Sequence, residues 1–434
     1  MIEGKIKAIV DYFKMLRSSN FFKVFVWDVL SKGTDFALLP IYLKILSQQE
    51  YGFYTYTLYI ITTISGIIKL GIDTSVSKMY YEQDKYERGK MLFSANIIWI
   101  IFFCFLFLLG ALTGLDTRLF TELMNISTSD YSQVRIFIFA FILFNLVQTT
   151  LNVFFVIDDN AITYQKYNLI RTLGGNLVVI GLLLFVAKGD KAYFRLYLEP
   201  ILFLVSFIPL VIIFIKRMIF KIDWKVVKHS LEIGLPMVGT LIVGVVYNLS
   251  DKYYLQKSSG FATLAVYNLA IFLTLPVTLI FMSFNTIWLP NFFKEKSSSI
   301  NLKKTNRYFV QLSIFYLVLM FLIQFILLIG LKIKILNRSY ENIVYVFPFV
   351  FISRISDILL QLYNNFIISW GKTVFNLTVS IFFGVIIFSL NYTIIPLWGL
   401  NGAILILLFT SLLRLLIFYF FVKYYLKYEY SSKI

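Results

Sequence analysis

Charged residues are scarce in this chain. Asp, Glu, Lys and Arg make up only 15% of its 434 residues, whereas an ordinary soluble domain has about 25%. Hydrophobic residues make up 59% of the sequence, and the mean hydropathy is +0.79. Apolar runs long enough to cross a bilayer, roughly 20 residues, recur from one end to the other. The sequence therefore predicts an all-α, polytopic membrane protein, because a membrane β-barrel would show short alternating segments.

Cysteine and histidine are almost absent. The one cysteine, Cys104, lies inside an apolar run and has no partner for an internal disulfide. The one histidine, His229, lies where a loop meets a helix and is expected to be solvated. There is no Cys/His cluster with zinc-ligand spacing and no nucleotide-binding Gly-rich loop. We therefore predict no metal site, no cofactor and no enzymatic activity. The formal net charge of +17 is assigned to loops, not to nucleic-acid binding.

About twelve membrane spans can be placed by hydropathy. They run approximately over residues 21–43, 53–75, 91–113, 134–156, 167–187, 194–216, 231–254, 262–285, 308–331, 341–363, 372–393 and 399–422. The connections are short, and a basic linker at residues 217–230 follows the sixth span. This linker predicts an N-terminal lobe over residues 1–220 and a C-terminal lobe over residues 221–434, with six spans in each.

Lysine and arginine are distributed unequally between the two sides of the predicted membrane. One side collects the clusters within residues 5–23, 78–90, 216–228 and 294–307. Because cytoplasmic loops are enriched in these residues, both termini are predicted to be cytoplasmic. An even number of spans per lobe gives the lobes the same orientation, which is typical of a parallel repeat. Such repeats commonly place a substrate site between the halves, near the midplane.

Charged side chains within the spans are the candidates for function, because charges at membrane depth are costly unless they pair or face a polar cavity. The first span has Asp28, Lys32 and Asp35 on one helical face, next to Trp27. The later spans contribute Lys69, Asp73, Arg171, Glu199, Asp251, Lys252, Arg354, Asp357 and Arg414. A structural role as intrahelical ion pairs stays open where the spacing is three or four residues, as in Asp28–Lys32, Lys69–Asp73 and Arg354–Asp357.

Two of the arginines have no carboxylate three or four residues away. Arg171 lies near the start of its span, where snorkelling to the cytoplasmic interface is an alternative role. Arg414 lies about two turns from the end of its span and is expected in a cavity. Fixed guanidinium and ammonium groups favour an anionic ligand, and arginine suits phosphate geometry. The pattern therefore predicts a transporter for a phosphate-bearing amphiphile.

Short motifs also recur in order along the chain. They are Leu39-Pro40, Glu50-Tyr51-Gly52-Phe53-Tyr54, Gly71-Ile72-Asp73-Thr74-Ser75, Ile233-Gly234-Leu235-Pro236, Asn248-Leu249-Ser250-Asp251-Lys252, Ala265-Val266-Tyr267-Asn268 and Gly399-Leu400-Asn401-Gly402-Ala403. Together they resemble the polysaccharide flippases, the lipid-linked oligosaccharide exporters of the multidrug/oligosaccharidyl-lipid/polysaccharide superfamily. One departure is Lys252, since the motif of the seventh helix usually has arginine there. Lysine keeps the charge but gives up a bidentate phosphate contact.

The resemblance implies two six-helix lobes in a MATE-like V around a cationic cavity. It also implies a flippase in the bacterial cytoplasmic membrane. Such a protein moves undecaprenyl-diphosphate-linked oligosaccharide repeat units to the outer leaflet by alternating access, for O-antigen or capsule assembly. The expected partners are this substrate, membrane lipid, and the polysaccharide polymerase and chain-length machinery.

Roles for the charged residues follow from this interpretation. The residues expected to bind the substrate are Lys32, Arg171, Arg354, Arg414 and Trp27. The carboxylates expected to pair with these cations, or to carry Na⁺ or H⁺ as the coupling ion, are Asp28, Asp35, Asp73, Asp251 and Asp357.

Two alternatives stay open. A drug antiporter of the same superfamily would favour a cavity dominated by carboxylates, whereas the deep charges here are mixed. A polysaccharide polymerase would be expected to have a sizeable outer loop with catalytic residues, whereas the predicted outer loops are short.

Overall fold

The computed structural model describes residues 20–431 except residues 188 and 296, and this part of the chain is helical almost throughout. It contains no β-strand within those bounds. The two predicted cytoplasmic termini, residues 1–19 and 432–434, lie outside the described residues. The prediction of an all-α chain is confirmed.

The chain folds as two compact units. The first comprises the described residues up to Leu46 together with Thr57–Leu241, and the second comprises Ser47–Tyr56 together with the chain from Ile242 onward. The ten residues Ser47–Tyr56 therefore belong with the second half of the sequence. The lobe boundary predicted at residue 220 stays a prediction.

In the described chain between residues 20 and 241, ten α-helices begin, and the second of them starts in the segment Ser47–Tyr56. They are α1 Asn20–Ile45, α2 Gln48–Ile68, α3 Ile72–Met79, α4 Lys85–Thr113, α5 Leu115–Met124, α6 Thr128–Ile157, α7 Ala161–Ile170, α8 Asn176–Phe185, α9 Lys191–Arg217 and α10 Trp224–Phe272. A π-helical turn, Arg171–Gly175, joins α7 to α8. Short polar side chains start several of these helices by accepting backbone N–H bonds. Asp84 does so for α4, Ser127 for α6 and Asp190 for α9.

Among its described residues, the second unit continues with four further α-helices. They are α11 Leu275–Lys294, α12 Ser298–Lys332, α13 Ile343–Ser369 and α14 Thr373–Ser431. The long helices α10 and α14 are each interrupted by a glycine outside the helical region, Gly260 with φ of 77° and Gly399 with φ of 52°. Glycine adopts positive φ without the strain that a Cβ would bring, so each interruption is a defined turning point.

Within the described part of the chain, eight helical segments are long and apolar enough to cross a membrane, or nine if the bent pair α2 and α3 is one span. Two of the eight, Leu241–Lys294 and Val374–Lys427, are 54 residues long. At 1.5 Å per residue each would extend about 80 Å, more than twice the roughly 30 Å hydrocarbon core. Each therefore has the length for two crossings, and each contains a glycine interruption. The multi-pass class is confirmed, and the count of twelve stays a prediction.

Aromatic side chains fill the core of each unit. In the first unit, Phe144 on α6 lies 5.3 Å from Phe203 and 5.7 Å from Phe207 on α9, measured between ring centroids. In the second unit, Phe292 on α11 lies 4.8 Å from Phe366 on α13, with the rings edge to face. Since lipid tails are as apolar as these side chains, such close packing rather than water exclusion holds membrane helices together.

Candidate functional site

The charged face of α1 is partly neutralised within the helix. The Lys32 ammonium lies 2.7 Å from the Asp28 carboxylate, as the spacing of four residues indicated. The side chain of Lys32 is still 41% exposed. Trp27 lies one residue earlier than Asp28, and the Lys166 ammonium lies 5.9 Å from its ring centroid. This end of α1 therefore presents a half-exposed ion pair beside an aromatic ring.

Arg171 begins the π-helical turn between α7 and α8. Its Nε donates to Asn168 Oδ1 at 3.2 Å, and one terminal nitrogen donates to Thr172 Oγ1 at 3.0 Å. Its guanidinium carbon lies 4.7 Å from the ring centroid of Phe203 and 5.6 Å from that of Phe144. The side chain thus packs on aromatic rings within the first unit. π-Helical turns occur often at functional sites.

Asp35 belongs to a polar network that the sequence revealed only in part. Asn176 Nδ2 lies 3.4 Å from Asp35 Oδ1, and Tyr42 donates to Asn176 Oδ1 at 2.7 Å. Arg195 stacks on the Tyr42 ring, with its guanidinium carbon 3.7 Å from the centroid. Arg195 also donates to the almost fully buried Glu199 at 2.6 Å.

The members of this network come from α1, α8 and α9. Sequence reasoning noticed Glu199 but missed Arg195, although the spacing of four residues was a usable signal. It had no signal for Tyr42 and Asn176, which are uncharged and distant along the chain.

Lys69 and Asp73 flank the break between α2 and α3. The Lys69 ammonium lies 2.9 Å from Asp73 Oδ1 and also donates to the Thr150 hydroxyl. It lies 5.2 Å from the centroid of the Trp99 ring. The lysine side chain is 7% exposed, whereas that of Asp73 is 31% exposed. The Asp73 carboxylate is therefore the more exposed member of the pair.

In the second unit, Asp357 pairs with a different arginine from the one indicated by the spacing. Asp357 on α13 lies 3.2 Å from Arg414 on α14, which is 57 residues away in sequence. Arg354 instead donates twice to the hydroxyl of Thr278 on α11, at 3.2 and 3.0 Å. The Arg414 guanidinium carbon lies 5.0 Å from the Tyr247 ring centroid, and its buried Nε has no hydrogen-bond acceptor in the described part of the chain. The intrahelical interpretation of Arg354–Asp357 was therefore wrong.

Asp251 and Lys252 lie on α10, before its interruption at Gly260. The Tyr267 hydroxyl donates to Asp251 Oδ2 at 2.5 Å. Lys252 donates to the Asn248 carbonyl at 2.6 Å and lies 3.4 Å from Asp251. The side chains of Asp251 and Lys252 are only 10% and 4% exposed. These contacts describe a buried junction in the second unit.

A surface cavity of about 470 Å³ lies where α11 ends and α12 begins. Its wall includes Trp288 and Tyr308, whose ring centroids are 4.9 Å apart. At its rim Lys304 lies 3.1 Å from Glu295. The hydrogen bond from Lys304 lowers the pKa of the Glu295 carboxyl below its ordinary value.

The predicted site residues thus fall into separate clusters within the two units. No group of three or more potential metal ligands occurs in the described part of the chain. In the second unit Arg414 pairs with Asp357, and Arg354 lies one turn before Asp357 on α13, so two guanidinium groups accompany one carboxylate there. Charge of this kind at membrane depth is costly unless it serves a ligand or ion pathway. The fold and these charges define a polytopic membrane protein with clusters of charged side chains inside its helical units.

A family model described as "Polysaccharide biosynthesis protein" matches residues 18–296, more than half of the chain. The chain therefore belongs to this family. No curated protein matches it.

Solved transporters share the fold at low sequence identity. An inward-facing multidrug resistance MATE family transporter of the MOP superfamily has a TM-score of 0.65 at 10% identity, covering 94% of this chain and 96% of that one. An outward-facing one has a TM-score of 0.62 at 11% identity, covering 94% of each chain. The MATE multidrug transporter DinF-BH has a TM-score of 0.63 at 13% identity, covering 94% of this chain and 95% of that one. These likenesses show that the chain has the fold of MOP superfamily transporters.

Proposed function

We propose that this protein is a flippase for undecaprenyl-diphosphate-linked oligosaccharide repeat units. It would work by alternating access in the bacterial cytoplasmic membrane, with both termini in the cytoplasm. The observation that carries the proposal is the excess positive charge of Arg354 and Arg414 around Asp357, in a family of polysaccharide biosynthesis proteins. Guanidinium groups are suited to the diphosphate that such a substrate carries.

The pairing of Arg414 with Asp357 fits a substrate that must be released as well as bound. The carboxylate holds one terminal nitrogen of Arg414 at 3.2 Å, while Nε donates to no acceptor among the described residues. An arriving diphosphate would compete with Asp357 for the guanidinium, and the carboxylate would reclaim it on release. This exchange keeps the arginine from remaining an uncompensated charge, which is the costly state of a desolvated ion.

Residues of the first unit complete the proposal. Lys32 and Arg171 would attract the diphosphate or acidic sugars, and Trp27 would stack on a sugar ring. Asp35, with Asn176 beside it, is the candidate carrier of Na⁺ or H⁺. The polyprenyl tail would stay in lipid. The surface polysaccharide, an O-antigen or a capsule, would then be built by polymerase and chain-length machinery acting on the flipped units.

A drug antiporter is the second candidate, because the similar solved structures are of multidrug transporters. A site for cationic drugs would need uncompensated carboxylates. Glu199 is held by Arg195 at 2.6 Å and Asp357 by Arg414 at 3.2 Å. The balance of charge therefore favours an anionic substrate.

The test is complementation of a strain from which this gene is deleted. A flippase predicts loss of surface glycan and accumulation of the lipid-linked oligosaccharide in the inner leaflet, both reversed by the wild-type gene. Arg414→Ala should fail to restore export, and Arg414→Lys should restore it in part. Glu87→Gln, which removes a partner of Lys90 in the first turn of α4, is the matched control and should restore it fully.

Other outcomes of the same experiment would refute the proposal. Short surface chains with unimpaired export would identify a polymerase. Normal glycan with increased drug sensitivity would identify an antiporter.

A further inference from the structure

The break between α2 and α3 is fixed by a backbone contact. The two helices meet at 51°. Leu70 and Gly71 between them both have positive φ, 51° and 67°. A Cβ on Gly71 would lie 2.7 Å from the carbonyl oxygen of Gly234 on α10, and a Cβ on Gly234 would collide with the carbonyl of Leu70. Only glycine at both positions allows this approach, so the break has one defined geometry.

A neutral ion pair lies directly at this break. The buried Lys69 ammonium has Asp73, the Thr150 hydroxyl and the face of the Trp99 ring around it. Burying an unpaired ammonium is costly. The Lys69 ammonium therefore requires the Asp73 carboxylate as its partner. Asp73 uses one oxygen for Lys69, and its other oxygen accepts no hydrogen bond from the described residues. That second oxygen is an acceptor on a side chain that is 31% exposed.

A cavity of about 370 Å³ opens beside Asp73 within the first unit. Its wall includes Asn145, Thr149 and Thr74. Gly66 also lines the cavity and, being glycine, places no side chain in it. Asn145 gives its amide N–H to the Phe141 carbonyl, so its own oxygen is a further acceptor. Ligand pockets commonly measure roughly 300–1,000 Å³, and this cavity lies within that range.

We infer that this cavity is a sugar-binding subsite, in which Asp73 and Asn145 accept hydrogen bonds from sugar hydroxyls. Lys69 acts as a positioning residue that fixes the carboxylate. The inference rests on the proposed function, since it assigns the glycan part of the substrate to this place. The wall offers acceptors and no uncompensated cation, so it suits hydroxyl donors and does not suit a diphosphate. Polar groups among membrane helices pair with one another or face water or a polar ligand, and the hydroxyls of a sugar ring supply donors for the acceptor oxygens that remain.

Filling the cavity tests this inference without disturbing its wall. A Cβ on Gly66 would meet no atom within 4 Å, and Gly66 lies inside α2. Leucine is also a better helix former than glycine, so Gly66→Leu should fold and occupy the space. Gly181→Leu is the matched control, because Gly181 lies inside α8 and a Cβ there also meets nothing within 4 Å.

The measurement is binding to purified protein in nanodiscs, with two probes. One is the lipid-linked oligosaccharide extracted from the deletion strain, and the other is undecaprenyl diphosphate without sugar. Gly66→Leu should weaken binding of the first about tenfold or more and leave binding of the second unchanged. Gly181→Leu should bind both probes as the wild type does.

Three results would overturn the inference, and they differ in what they say about the proposed function. Unchanged binding of both probes by Gly66→Leu removes the sugar subsite and leaves the flippase intact. An equal loss for both probes means that the cavity holds the diphosphate or the lipid instead. Failure of the wild type to bind either probe refutes the flippase proposal together with the subsite.

Discussion

The contact between Asp357 and Arg414 can be measured by a double-mutant cycle. The variants are Asp357→Asn, which keeps the side-chain shape, Arg414→Gln, which removes the charge and shortens the side chain, and the double variant. In wild-type protein the two groups lie 3.2 Å apart, and their side chains are 28% and 24% exposed. The quantity of interest is the coupling free energy. It is the effect of the double variant on stability minus the sum of the effects of the two single variants.

The expected magnitude follows from the exposure of the pair. A hydrogen bond to a charged group contributes about 1.5–3 kcal/mol, and fully exposed ion pairs contribute about 0.2–1 kcal/mol. Because both side chains are about one quarter exposed, we expect a coupling of about 1–2 kcal/mol. Asp357→Asn alone should be the costlier single change, since it leaves the partly buried Arg414 guanidinium, which packs beside the Tyr247 ring, without its carboxylate partner.

The assay is the free energy of unfolding, measured by SDS titration in mixed micelles. Asp28→Asn and Lys32→Gln provide the matched cycle, because that pair is a single-helix pair with a side chain 41% exposed. Its coupling should be only about 0.3–0.5 kcal/mol. If the cycle of Asp357 and Arg414 shows no larger coupling than this, the assignment of a partly buried inter-helix ion pair is refuted.

Two further substitutions test the packing of the second unit by the same titration. Gly52→Ala should lower the free energy of unfolding by about 1–3 kcal/mol, because the added Cβ would collide with the carbonyl of Phe261. At an open helix position the same change from glycine to alanine should instead stabilise the protein. A stabilised Gly52→Ala variant would therefore contradict the close contact. Tyr267→Phe should cost about 1–3 kcal/mol, since it leaves a buried oxygen of Asp251 without its donor. An unchanged midpoint would mean that Asp251 does not depend on that hydroxyl.

The elements that the sequence predicted well are those set by neighbouring residues. The helical, multi-pass class follows from local hydropathy, and the pairing of Asp28 with Lys32 follows from one helical turn. The break at Gly71 was not predicted and lies inside a predicted span. It depends on a contact with Gly234, 163 positions away in sequence, which local hydropathy cannot detect.

The candidate site depends on contacts that no local pattern encodes. Arg414 finds its carboxylate 57 residues away, and Asp35 finds Asn176 at a separation of 141 residues. Spacing could only offer the nearest carboxylate, so it paired Arg354 with Asp357. The polar residues themselves could be selected, because charge at membrane depth is rare, but their grouping required the packing of helices from different parts of the chain.

Lys252 shows how the contacts seen in the structure change the interpretation of a sequence motif. The resemblance to polysaccharide flippases expects arginine there, and the loss of a bidentate phosphate contact was the implied consequence. In the structure the Lys252 side chain is 4% exposed, and its ammonium donates to the Asn248 carbonyl beside Asp251. A buried lysine that donates to a backbone carbonyl stabilises the α10 junction. This contact does not require the two parallel N–H donors of an arginine. The substitution of lysine for arginine at this position is therefore compatible with the proposed diphosphate site, which lies at Arg354 and Arg414 instead.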